Sequence, residues 1–491
     1  MSPDSHFDLP PDHFLSFGRP IISGAPDNST LAAHDFDVDN RTGFMPPHPP
    51  LSRLSADYEP WEQALDDAVS LRLRLGDSPN ITGADRARSE AWRDGVRQLP
   101  VLPLDALGTS EVALRRAHHV LTFIMHFYIH SLPPDAPVVI PRPITLPLFR
   151  VCAQLDLPPV LTYSDNVLYN WDLKMPSSGP APALDNLRSQ TMFTGTNDEQ
   201  EFYLTSSRME LRGVEALNLM RMSLDEAFVG DAIAVQRIAK YLTRLATVIG
   251  ELETLLMAVR EGCDPQVFYR EIRPWFRGAD SGSRPWVFEG LEEDATLRLP
   301  TEISGPSAGQ SALIHALDTF LGVDKYSHST TGSGASTSTV AAAGAKTSFL
   351  ERMQEYMPRY HRAFLKHLAT EALPLRALVL SGGDASLLEA YNAAVLAMKK
   401  LRDNHMIIVA LYIIGPSRRV AASGVTTSAP PPASFLEDFE TEGEKPDEAP
   451  LKGTGGSDLV KFLKGVRDLT AGAVIAAPAV APPTQESPPA S

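Results

Sequence analysis

Over most of the chain, apolar residues recur at every third or fourth position, the spacing of a helix with one buried face. The first such stretch begins near Trp61 (WEQALDDAVSLRLRL). Residues 111–131 are apolar and aromatic, and a helix-length stretch covers 149–155. The clearest 3.6-residue period lies in 205–224 and 231–261. Shorter helical stretches follow at 264–276 and 311–321, then one at 349–368. Residues 384–414 read as one helix of about 31 residues, about 46 Å long. Strand-like alternation is scarce and there is no internal repeat, so the expected fold class is all-α.

Breaker residues divide this pattern. Residues 1–50 contain PPDH, Gly43 and PPHPP, and 132–147 read LPPDAPVVIPRPITLP. PSSGPAPA (176–183) has the composition of a linker. A boundary near Phe193 therefore predicts a smaller N-terminal domain, 1–193, with 1–39 flexible and 176–193 as linker. A larger domain follows at 194–491. Within it, Ser, Thr, Gly and Ala dominate 327–348, a flexible loop, and 418–450 form a Pro-rich acidic linker. Residues 452–468 (KGTGGSDLVKFLKGVRD) form a compact island, and 469–491 a disordered tail.

A length of 491 residues allows two or three domains, or one large one with a substantial core. The two cysteines, Cys152 and Cys263, support no disulfide framework, Cys-type zinc site or CxxC pair. The N-terminus has no signal pattern, and no apolar run approaches the ~18 residues of a membrane span. The chain is expected to be soluble and cytoplasmic. Its net charge of −16 argues against nucleic acid and anionic membranes as partners. That charge is uneven. Residues 1–39 and 434–450 each carry a net −6, which leaves the rest nearly neutral.

Four groups of residues carry candidate chemistry. His405 lies on the apolar stripe Leu387, Leu388, Tyr391, Ala394, Val395, Met398, Leu401, His405, Ile408, Val409, Tyr412. An imidazole facing an apolar interior needs a hydrogen-bond partner or a metal. Arg402, one turn earlier, suits a haem propionate, whereas a core histidine bonded to a carbonyl fits the same pattern. His118, His119, His126 and His130 share one predicted helix. The i,i+4 pair His126/His130 has zinc-like spacing but lacks the Glu of HExxH, so a polar interface face is the competing reading. SGPSAGQS (304–311) and KGTGGSD (452–458) are small-residue segments that let backbone approach a ligand, or are simply turns. In FYREIRPWF, Phe268 and Arg273 are spaced to offer an aromatic wall and a carboxylate clamp, or Arg273 is a surface residue. No GxSxG elbow occurs.

Together, these segments resemble indoleamine 2,3-dioxygenase. The matching stretches run in order: LPPVLTYSDNVLYNW (157–171), EFYLTSS (201–207), DPQVFYREIRPW (264–275), SGPSAGQSALIHALDTFLGV (304–323), MQEYMPRYHRAFL (353–365), LSGGDASLLEAYNAAVLAMKKLRDNHMIIVALYI (380–413) and KGTGGSDLVKFLKGVR (452–467). The resemblance implies an all-helical protein with a smaller N-terminal and a larger haem-binding domain. It also implies haem b with ferrous iron, L-tryptophan and O₂ as substrates, an external reductant for the haem, and a monomer.

Carried over residue by residue, His405 matches the iron ligand, Arg402 the propionate partner, and Asp318 an aspartate near the haem. Tyr163 and Val167 match the pocket floor, Phe202 its aromatic wall and Ser206 its serine. Phe268 matches the ring packed on the indole, and Arg273 the carboxylate clamp. Ser307 and Ala308 match the backbone beside the haem edge, and Thr454 the loop over bound tryptophan. Two departures stand out. Pro306 replaces a glycine, removing an N–H and fixing φ. Asn166 replaces a small or apolar pocket residue. They leave open a preference for another indole, and a non-catalytic haem or gas-sensing protein is a further alternative.

Overall fold

The computed structural model describes residues 33–108, 110–176, 179, 181–282, 284–323, 349–371, 375–422 and 459–476. The expected loop at 327–348, most of the acidic linker and Thr454 lie outside them. Of the segment expected to be flexible at 1–39, residues 33–39 are described. Phe36 and Val38 are buried there, and Asp37 pairs with Arg115 at 2.7 Å.

The described chain is mostly helical. In order come α1 (Glu59–Ser70), α2 (Gly83–Arg97), α3 (Glu111–His130), α4 (Arg142–Leu155), α5 (Asn197–Arg212), α6 (Val214–Val229) and α7 (Ala232–Gly262). After a run of turns come α8 (Ala312–Leu321), α9 (Phe349–Gln354), α10 (Arg359–Glu371), α11 (Leu375–Gly382), α12 (Ala385–Val409), α13 (Gly415–Ala422) and α14 (Leu459–Gly472). Side-chain caps fix several starts. Thr196 accepts the Glu199 N–H, Asp231 that of Ala234, and Asp384 that of Leu387.

Several elements differ from the periodicity, each for a local reason. The stretch 205–224 is split at Gly213, where a Cβ would fall 2.2 Å from Leu313 of α8, so only glycine lets the two elements touch. The stretch 349–368 is two helices, with Pro358 between them. Residues 264–276 form a turn at Pro265–Val267, a π-turn at Phe268–Ile272 and a 3₁₀ turn at Arg273–Phe276. The long 384–414 helix passes into a π-turn at Ala410–Ile414. Around the expected linker, β1 (Trp171–Leu173) pairs antiparallel with β2 (Leu187–Ser189), with Leu187 fully buried. Of the tail expected from 469, residues 469–476 are described: α14 runs to Gly472, and Ala473 and Ile475 are buried.

Buried apolar side chains form two large clusters. One gathers α1, α3 and α4 through Trp61, Phe123, Phe127 and Leu148, and draws in Phe193, Phe268, Trp275 and Phe276. The other gathers α6, α7, α8 and α12 through Leu242, Ile249, Leu317, Tyr391 and Met398. The chain crosses from the first to the second between Leu161 and Tyr163. Tyr163 and Val167, two of the expected site residues, lie at that crossing.

Candidate active site

The loop after Leu161 is held by buried charge. Asp165 accepts the Thr162 N–H at 2.8 Å and its hydroxyl at 2.7 Å, and pairs with His118 Nδ1 at 2.8 Å. Burial opposes a charged His118, but the Asp165 carboxylate outweighs it and holds the imidazole pKa well above its usual value. The π-turn Ser164–Leu168 carries Val167, which is buried.

Tyr163 joins this loop to two other segments. Its N–H donates to Gln310 Oε1 at 2.8 Å, and its hydroxyl donates to Glu210 Oε1 at 2.9 Å. Ser311 donates to the same Glu210 oxygen at 2.7 Å. Gln310 Nε2 donates to the Gly305 carbonyl at 3.0 Å. Gly305 in turn lies against the Phe276 carbonyl, where a Cβ would fall 1.9 Å from the oxygen. The Tyr163 loop, α5, the 304–311 segment and the turn bearing Arg273 are thus tied together.

On α5, Phe202, Ser206 and Glu210 recur at i, i+4 and i+8, on one face. Phe202 meets Phe268 with ring centroids 4.4 Å apart and planes at 39°. Ser206 is half-buried beside the Tyr163 hydroxyl. Burial drives the Glu210 pKa up to about 7, despite hydrogen bonds from Ser311 and Tyr163, and its Oε2 has no hydrogen-bond partner among the described residues. Arg273 is buried, its guanidinium 5.7 Å from the Tyr269 ring centroid. Burial, then the charge of Arg277, lower its pKa to about 10. In the 304–311 segment Ser307 Oγ accepts the Gly309 N–H at 3.2 Å, and Ala308 is exposed.

His405, Arg402 and Asp318 form a second group. Asp318 is seven residues beyond Ser311 on α8, on the same face and ~10 Å along the axis. It holds the Arg402 guanidinium through both carboxylate oxygens, at 2.6 and 2.5 Å, while the other Arg402 terminal nitrogen bonds Thr470. The guanidinium fork expected to face a propionate is therefore already engaged. One turn on, His405 is enclosed by protein yet keeps some accessible surface, and its ring has no hydrogen-bond partner among the described residues. Burial, then the Arg402 charge, depress its pKa to about 4, so the ring is a neutral donor at physiological pH. A buried neutral imidazole with free ring nitrogens is the chemistry an axial haem ligand requires. The first group touches this helix through Tyr412, which lies edge-on to Phe268 at 5.7 Å.

The histidine stripe of α3 makes no metal site. His119 bonds Thr191, and His126 and His130 bond backbone carbonyls. Among the described residues, no cluster of three or more His, Cys, Asp or Glu could hold a metal ion, which removes the zinc reading there.

Residues 32–473 match the family model described as indoleamine 2,3-dioxygenase. The chain belongs to the indoleamine 2,3-dioxygenase family. It is similar to the indoleamine 2,3-dioxygenase of Saccharomyces cerevisiae, with 34% identity over 87% of this chain and 90% of the relative. It is also similar to indoleamine 2,3-dioxygenase 1 of Rattus norvegicus, with 29% identity over 92% and 98% of the two chains. With indoleamine 2,3-dioxygenase 2 of Mus musculus it shares 30% identity over 91% and 96%.

As a dioxygenase of this family, the protein carries two polar connectors that the sequence reading passed over, Glu210 and Gln310. Gln310 sits inside the quoted SGPSAGQS motif. Glu210 follows Ser206 by one turn, and that periodicity was the available signal. Of the two departures, Pro306 is buried. Asn166 is buried, and its Oδ1 has no hydrogen-bond partner among the described residues. No helix among the described residues is long and apolar enough to cross a membrane.

Proposed function

We propose that the chain cleaves the indole C2–C3 bond of L-tryptophan with O₂ to give N-formyl-L-kynurenine, using haem b held by His405. The observation that carries this reading is the His405 ring, neutral, enclosed and without a hydrogen-bond partner among the described residues. Haem, when bound, supplies the O₂ chemistry that no side chain can.

The residues supply position. Arg273 is a cation held at a cost in a poorly solvated place, so a substrate carboxylate that pairs with it is strongly favoured. Phe202 and Phe268 give the indole an aromatic wall, with Val167 and Tyr163 beneath it. Ser206 places a hydroxyl beside that of Tyr163, and no protein general base is assigned. Ser307 and Ala308 offer backbone at the haem edge, and Thr454 belongs to the covering loop. Arg402 reaches a propionate only by sharing its charge with Asp318. On this reading residues 1–193 and 194–491 are the two domains, and the enzyme is a cytoplasmic monomer served by an external reductant.

A second reading keeps the family chemistry but changes the preferred indole. Asn166 favours it, because an unpartnered amide oxygen at the pocket floor can accept a hydrogen bond from a ring substituent. Steady-state turnover of L-tryptophan against hydroxylated and unsubstituted indoles by haem-loaded protein separates the two. A higher kcat/KM for L-tryptophan supports the first reading, and a higher one for another indole the second.

A further inference from the structure

The pair of α3 histidines with zinc-like spacing has another use. His126 Nε2 accepts the Leu161 N–H at 3.3 Å. That acceptor role leaves the ring proton on Nδ1, which donates to the Trp275 carbonyl at 2.7 Å. One turn later on α3, His130 Nε2 bonds the Arg277 carbonyl at 3.0 Å. The i,i+4 spacing that suggested zinc instead matches two carbonyls, 275 and 277, that lie just beyond Arg273.

The surroundings of His126 are aromatic and apolar. His126 is fully buried, and Trp275 is stacked on Phe193 at 5.2 Å and 6° with Phe127 against it. An apolar ring at 126 would fill the slot but strand a buried N–H at Leu161 and a buried carbonyl at Trp275. An imidazole satisfies both at once. Burial also lowers the His126 pKa to about 4, which keeps Nε2 free to accept.

We propose that His126 and His130 are positioning residues that set the Arg273 turn, and through it the site that receives the substrate carboxylate. The proposal rests on the reading of Arg273 as a carboxylate clamp. The two histidines touch neither substrate nor cofactor. They act by fixing the backbone on which Arg273 stands, with α3 as the reference.

The test is calorimetric binding of L-tryptophan and of tryptamine, which lacks the carboxylate, to haem-loaded wild type and to His126→Leu, His126→Gln, Arg273→Ala and the double variant His126→Leu/Arg273→Ala. Steady-state kinetics on L-tryptophan accompany it. The expected result is about tenfold weaker L-tryptophan binding in His126→Leu. KM rises in step, kcat stays within about twofold, and tryptamine binding is unchanged. His126→Gln, whose amide both donates and accepts, recovers most of the loss. In the Arg273→Ala background the substitution adds nothing. Equal weakening for both ligands, or losses that multiply in the double variant, overturn the proposal. If His126→Leu does not fold, His130→Leu carries the same comparison with the Leu161 bond intact. Failure of the clamp reading is distinguishable, because Arg273→Ala alone would then leave L-tryptophan binding unchanged.

Discussion

Asp318 grips Arg402 through both carboxylate oxygens, at 2.6 and 2.5 Å, one helical turn before His405. Both partners are largely buried. Removing one leaves the other charged and without its counter-ion, which costs about 3 kcal/mol. Asp318→Asn is expected to lower the stability of the haem-free protein by that order in urea unfolding. Adding Arg402→Gln recovers much of the loss. An unchanged unfolding midpoint in Asp318→Asn would show that the pair contributes nothing.

Arg273→Ala removes the proposed carboxylate partner without touching His405. A charge-assisted bidentate contact of about 2 kcal/mol corresponds to roughly a 30-fold loss in kcat/KM for L-tryptophan. The haem Soret band should stay as in wild type. Arg273→Lys should recover little, because an ammonium cannot reproduce the planar fork. Near-normal kcat/KM in the alanine variant would remove Arg273 from the site.

Glu210 makes stability depend on pH in a definite sense. Burial raises its folded pKa to about 7, above the usual carboxyl value. The native state therefore holds a proton that the unfolded chain has lost, and stability falls as pH rises from about 4.5 to about 7. Above that window the cost is about 3 kcal/mol. Glu210→Gln removes it, so the variant should gain on wild type at pH 8 and not at pH 4.5. A difference between the two proteins that does not vary with pH would contradict the assignment.

Buried histidines act in the opposite sense. Burial depresses His119 to about 3, and His126, His361 and His405 to about 4. Each is neutral in the native state, while the unfolded chain takes up its protons near pH 6.5. Stability is thus present above that pH and lost as pH falls towards 4. Glu199 and Glu210, both raised by burial, oppose this trend but are fewer, and His118, raised by Asp165, acts above pH 6.5. The denaturant midpoint of the haem-free protein should fall between pH 6.5 and 4.5. A midpoint that rises over that range would mean that these histidines are charged in the native state.

Much of this was legible along the chain because it is local. His405 stood out because a titratable residue interrupted an apolar stripe of period 3.6. The caps at Asp231 and Asp384 fall where the apolar period begins. The split at Gly213 was not legible, because its cause is Leu313, a hundred residues away. For the same reason the interface face expected of His126 and His130 had no named partners. Their spacing on α3 was right, but their partners are the carbonyls of Trp275 and Arg277, which only the tertiary fold brings near. Glu210 had only its period with Ser206 and Gln310 only its place in SGPSAGQS, since their role lies in joining segments that the sequence keeps apart.

The most direct test of the whole account is aerobic turnover of L-tryptophan by reduced, haem-loaded protein under isotopically labelled O₂, with the product read by mass spectrometry. N-formyl-L-kynurenine carrying both labelled oxygen atoms is expected, with no such product from His405→Ala. Haem-loaded protein that binds O₂ yet leaves L-tryptophan intact would contradict it.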